Sequence, residues 1–159
     1  MRRLVVLSIA TGAALLAAPT AIAGSLPGPG IWSYDGSTKK VAIFRVYLSV
    51  DPVAGSKIYA VNGVVDGKCK KRGRSSFGSA DFNVDVNKGI SITVKPNGSF
   101  KSKTFNTVGD AAGERGKARI KGTFKGTKVS GTVTARTKGN VLGPCKGKGK
   151  FKGTGERIS

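Results

Sequence analysis

Residues 117–136 read K-A-R-I-K-G-T-F-K-G-T-K-V-S-G-T-V-T-A-R, and their parity decides the fold class. Ala118, Ile120, Gly122 and Phe124 alternate with Lys117, Arg119, Lys121 and Thr123. Gly126-Thr127 interrupts the pattern, after which Val129, Gly131, Val133 and Ala135 alternate with Ser130, Thr132, Thr134 and Arg136. Successive side chains on a strand point to opposite faces, so period two on both sides of a short glycine-containing turn predicts a β-hairpin with one apolar and one polar face.

The same period runs through most of the chain upstream. From Val41 to Val50, Ala42, Phe44, Val46, Leu48 and Val50 share one face. The opposite face, Val41, Ile43, Arg45, Tyr47 and Ser49, is partly apolar, which predicts a central strand covered on both sides at one end. Residues 57–65 form a second candidate strand, and Phe82, Val84 and Val86 alternate with Asp81, Asn83, Asp85 and Asn87 in a third. Ile90, Ile92 and Val94 alternate with Ser91 and Thr93 before Pro96-Asn97-Gly98, a turn signal, and 99–105 reads as the return strand. Residues 106–116 read as a surface loop, and a last strand over 146–152 follows the 139–144 loop. With 24 glycines and no sustained 3.6 period, the chain predicts an all-β fold. The expected form is an antiparallel β-sandwich of about eight short strands, with a β-barrel as the alternative.

At the N-terminus, Arg2 and Arg3 precede an apolar run from Leu4 to Ala18, and Ala21-Ile22-Ala23 precedes Gly24. This is the order of a secretory signal peptide. The run is too short to span a hydrocarbon core of about 30 Å. Residues 1–23 are therefore expected to be removed, 24–30 to form a Pro/Gly linker, and 31–156 to form a single β domain that works outside the cytoplasm, either released or associated with the cell envelope. Cys69 and Cys145 are the two cysteines, and an even pair in an exported chain predicts a disulfide between them. Eleven aromatics, Phe77 among them, are expected to supply the core.

The V-x-I-F-R-V strand from Val41, Cys69, the I-x-I-x-V-x-x-N-G-x-F segment from Ile90, the I-x-G-x-F-x-G-x-K-V-x-G-T-V hairpin from Ile120 and the late Cys145 followed by Phe151 together resemble small secreted β-sandwich proteins of actinobacteria. The resemblance implies a compact β fold with an inter-strand disulfide. It carries over no activity and no functional residues.

The chemistry expected is non-catalytic. With no histidine in the chain, the usual general base near neutral pH and the commonest transition-metal ligand are missing. Asp81 and Asp85, four residues apart on one strand face, would lie about 13 Å apart, too far to act as a pair on a glycosidic bond. Asp35, Asp51, Asp66, Asp110, Glu114 and Glu156 read as loop or terminal residues. The Asp81, Asn83, Asp85, Asn87 ladder opens like a calcium loop, but Val86 stands where the loop needs glycine and Ile92 where it needs a bidentate glutamate. No metal and no cofactor are expected.

The charge is the remaining signal: 28 Lys and Arg against 8 Asp and Glu. Lys146, Lys148, Lys150 and Lys152 share one parity of the last strand, and Lys117, Arg119 and Lys121 share one parity of the hairpin. A secondary cluster, Lys68, Lys70, Lys71, Arg72 and Arg74, brackets Cys69. Such a field attracts polyanions through counterion release, so the partners expected are an anionic cell-wall polymer, an acidic polysaccharide or a nucleic acid, bound without sequence preference. Tyr47 and Tyr59 are the candidate stacking rings. Two other functions remain open: a polysaccharide hydrolase using loop carboxylates, and a structural secreted protein whose lysines keep it soluble.

Overall fold

The computed structural model describes residues 26–71, 73–84, 89–109, 114–138 and 143–159; the expected signal segment at 1–23, Arg72, Asp85, Val86, Asn87 and Asp110 lie outside the described residues. The fold is all-β and antiparallel. Its strands are β1 (Gly30–Thr38), β2 (Val41–Val50), β3 (Lys57–Lys71), β4 (Arg74–Asp81), β5 (Asn83–Val84), β6 (Ile92–Thr93), β7 (Ser99–Lys101), β8 (Phe105–Val108), β9 (Arg115–Lys125), β10 (Lys128–Lys138) and β11 (Cys145–Arg157). They join in one hydrogen-bonded sheet, ordered β4-β3-β2-β1-β11-β10-β9-β8-β5, with β6 on β3 and β7 on β9. Among the described residues no helix is long and apolar enough to cross a membrane.

The β1–β2 hairpin is a wedge in this sheet. β1 pairs with the C-terminal part of β11, Trp32 opposite Arg157 through Asp35 opposite Thr154, and β2 pairs with the first half of β3. The hairpin ends near Thr38 and Val41. Past its tip β11 and β3 meet directly, Cys145 opposite Cys69, Lys146 opposite Lys68 and Gly147 opposite Gly67. The tip is tied to β11 where no strand pairs it: the Thr38 hydroxyl donates to the Lys150 carbonyl at 2.8 Å. The disulfide Cys69–Cys145 closes the direct junction, with Cα atoms 3.9 Å apart.

Glycine permits this approach. On β11 the inward parity is Cys145, Gly147, Gly149 and Phe151, all buried. A Cβ on Gly149 would stand 2.7 Å from Cγ2 of Val41 and 3.2 Å from Cγ2 of Val65, so any larger residue would push β11 off β2 and β3. Phe151 then stacks on Phe44 of β2, ring centroids 3.9 Å apart and 14° between planes. The apolar face of the β9–β10 hairpin closes on β1: Phe124 lies 4.8 Å from the Tyr34 ring and 5.0 Å from that of Phe100. The Tyr34 hydroxyl donates to the Gly126 carbonyl at 2.9 Å, and burial pushes that phenol's pKa up. A buried tyrosine thus holds the hairpin turn from the opposite side of the core.

Several expectations change. The described strands number eleven rather than about eight, because β1, the serine-rich β4 and β8 pair despite weak alternation; β3 and β11 are also longer than expected, running on to Lys71 and Arg157. The predicted 99–105 strand stops at Lys101 and resumes at Phe105, which runs on as strand to Val108 into the predicted 106–116 loop, and Glu114, in that loop, is buried. The register of β2 on β3 shifts between Val41 and Ile43. The shift turns Val41 inward and Ala42 outward, and it leaves Ile43 60% exposed instead of covered. Phe77, expected in the core, is 81% exposed.

Candidate cationic face

Parity and register together build the site. In the β9–β10 hairpin Lys117 stands opposite Arg136, Arg119 opposite Thr134 and Lys121 opposite Thr132. On the other edge of β10, Arg136 stands opposite Lys146, Thr134 opposite Lys148, Thr132 opposite Lys150 and Ser130 opposite Lys152. Lys146 in turn faces Lys68, and Lys68 faces Phe77. One line across five neighbouring strands therefore reads Phe77, Lys68, Lys146, Arg136, Lys117, with adjacent strands about 4.8 Å apart.

Like charges directly opposite on a sheet are destabilising. Here four occur in succession, all exposed, and among the described residues none of the four makes an ion pair. The strands β9, β10 and β11 together carry thirteen Lys and Arg and one acid, Glu156 near the far end of β11. A groove of about 670 Å³ over the β3–β11 junction is lined by Lys68, Lys70, Arg136, Lys138, Lys146 and Lys148, with no carboxylate in its lining.

The seven residues of the main basic set, Lys117, Arg119, Lys121, Lys146, Lys148, Lys150 and Lys152, all face outward and are exposed. They form two lines either side of β10. Lys152 sits at the far end, about 20 Å along β11 from Lys146. The secondary cluster divides. Lys68 and Lys70 share the outward parity, whereas Lys71 and Arg74 pair with each other at the end of the β3–β4 hairpin on the opposite parity, and Arg72 lies outside the described residues.

Sequence reasoning missed Arg136 as a member of the site, although a two-residue turn at Gly126-Thr127 already sets it opposite Lys117. It also missed Lys101, opposite Lys121 through the β7–β9 pairing, and Phe77. No local pattern marks Phe77 as outward in the serine-rich strand. Tyr47 and Tyr59 pair with each other, centroids 5.8 Å apart, on β2 and β3 away from this line; burial raises the pKa of the Tyr59 phenol, and Tyr47 raises it further.

The carboxylates are placed differently from expectation: Asp35, Asp66 and Glu156 lie on strands rather than in loops. Asp35 pairs with Arg45 and accepts from the Ser33 hydroxyl at 3.2 Å. Asp51 accepts the backbone N–H groups of Ala54 at 2.8 Å and Val53 at 2.7 Å, which hold its pKa below the ordinary carboxylate value, opposite to what a general acid requires. In the calcium-like ladder the Asn83 side-chain oxygen accepts the Gly63 N–H at 2.9 Å. Among the described residues no three His, Cys, Asp or Glu side chains gather as a metal site. No protein-family model matches the sequence, and neither a curated protein nor a solved structure matches it.

Proposed function

We propose that this protein is a non-catalytic, secreted or envelope-associated module that binds anionic polymers through the outer face of β9, β10 and β11. The observation that carries this reading is the line Lys68, Lys146, Arg136, Lys117 across four hydrogen-bonded strands. Solubility alone asks for interspersed charges of both signs. A succession of like charges with no acid between them opposes the sheet that holds it, and a polyanion laid across it relieves that repulsion while releasing its own counterions. The signal-like segment at 1–23 and the disulfide support a site of action in an oxidising compartment.

The test is co-sedimentation of the protein, from Gly24 onward, with DNA, purified cell wall and anionic vesicles at low and physiological salt. Wild-type protein binds at low salt, and replacing Lys146, Lys148, Lys150 and Lys152 with Gln weakens binding. When the ligand is nucleic acid, the salt slope flattens by roughly 0.7 to 0.9 in log-log units for each phosphate that the variant no longer neutralises. Absence of wild-type binding at low salt would refute the reading and leave a structural role.

A further inference from the structure

Between the two lysine lines, the outward face of β10 carries Ser130, Thr132 and Thr134, short hydroxyl side chains opposite long cations on both sides. None of the three hydroxyls has a hydrogen-bond partner within the protein among the described residues. The surface over Ser130 and Thr132 is concave, and Thr134 continues the same row between Arg119 and Lys148. One depression of about 590 Å³ is lined by Thr132 with Lys121, Lys148 and Lys150 and by the Thr38 and Lys40 tip of the β1–β2 hairpin. A second, of about 780 Å³, is lined by Ser130 and Thr132 with Lys95, Lys101 and Lys121. A third continues past Ser130 to Lys125, Lys128 and Lys152 and ends at the Asp35 carboxylate, which is paired with Arg45, so the purely cationic stretch of the face stops there.

From these we infer that β10 is the floor of a trough that takes one extended chain of phosphoryl oxyanions, lying along the strand axis; the inference rests on the polyanion reading of the same face. The walls stand two strands apart, about 9.6 Å, and on each wall the cations recur about every 6.8 Å. A single polyphosphate or phosphodiester chain fits between such walls, its charges neutralised from both sides while the floor hydroxyls donate to its non-bridging oxygens. A duplex, whose two grooves alone are about 12 and 6 Å wide, rests on the lysine tips and does not reach the floor. A bilayer surface is likewise held off by the tips.

The hydroxyls separate this inference from the reading beneath it, because they carry no charge. Thr132→Val with Thr134→Val keeps side-chain shape and strand propensity and removes two donors. Fluorescence anisotropy is read with three probes, long-chain inorganic polyphosphate, oligothymidylate and a DNA duplex of equal phosphate number, across a salt series. The expected result is tighter binding of the single chains than of the duplex. The double valine variant then loses at least about tenfold on the single chains, the low end for even one of its two lost hydrogen bonds to a charged group. Its salt slope and its duplex affinity stay at wild-type values, and Thr132→Ser with Thr134→Ser restores the affinity. The relative affinities for polyphosphate and oligothymidylate assign the phosphoryl groups to an anhydride or a diester chain. A valine variant that binds single chains like wild type, or a duplex that binds as tightly as the single chains, overturns the trough and leaves the basic face standing. No binding of any probe at low salt overturns both.

Discussion

Arg136→Thr should make this protein more stable and a poorer polyanion binder at the same time. Arg136 faces Lys146 on one side and Lys117 on the other. At a separation of about 5 Å, two unit charges in water repel by about 0.8 kcal/mol, so the two pairs amount to about 1.6 kcal/mol before screening. Splaying of the long side chains and a Debye length of about 10 Å at 0.1 M salt reduce this to about 0.5 to 1 kcal/mol. Threonine also suits an outward strand position and continues the Ser130, Thr132, Thr134 series, so the substitution creates no packing defect. For a domain of this size the gain corresponds to a rise in Tm of roughly 2 to 4 °C. The measurement is urea and thermal unfolding of wild type and variant at 0.05, 0.15 and 0.5 M NaCl. The stability difference should shrink by more than half at the highest salt, where screening acts within about 4 Å. Binding to a nucleic-acid probe should weaken, with its salt slope shallower by about 0.9. A variant less stable than wild type at low salt, or a difference that ignores salt, would refute the claim that the row is under electrostatic strain.

Three further outcomes follow from the core and its ties. Cys69→Ala with Cys145→Ala should lower stability by at most about 4.5 kcal/mol, the loop-closure limit for a bridge spanning 76 positions, and urea unfolding with and without reductant checks it; a reductant-insensitive wild type would show the bridge to be idle. Tyr34→Phe removes the donor to the Gly126 carbonyl and leaves the ring on Phe124, so it should cost about 1 kcal/mol, seen as a lower urea midpoint at unchanged slope. Because the folded pKa of Asp51 is lowered by the Ala54 and Val53 N–H groups, its contribution is present above the unfolded carboxylate pKa and is lost as pH falls through the folded value. An NMR titration should place the Asp51 midpoint below that of a model aspartate, and a midpoint at or above it would contradict the turn geometry.

Local pattern determined a good deal here. Period two around Gly126-Thr127 set the β9–β10 register, because a two-residue turn leaves one pairing that keeps Ile120 and Val133 on the same buried face. It also set which residues of β11 are outward lysines and which are inward glycines, and the two cysteines sufficed for the bridge. It could not reach β4, where serine dilutes the alternation, nor the register shift that exposes Ile43 and Ala42, because a bulge arises from the partner strand rather than from the strand itself. The Arg136–Lys117 pair follows from the hairpin turn, but its continuation through Lys146 to Lys68 belonged to the tertiary structure. It requires the β1–β2 wedge to end at Thr38 and Val41 so that strands remote in sequence meet edge to edge, and long-range pairing of that kind is decided by how the whole sheet closes over its core.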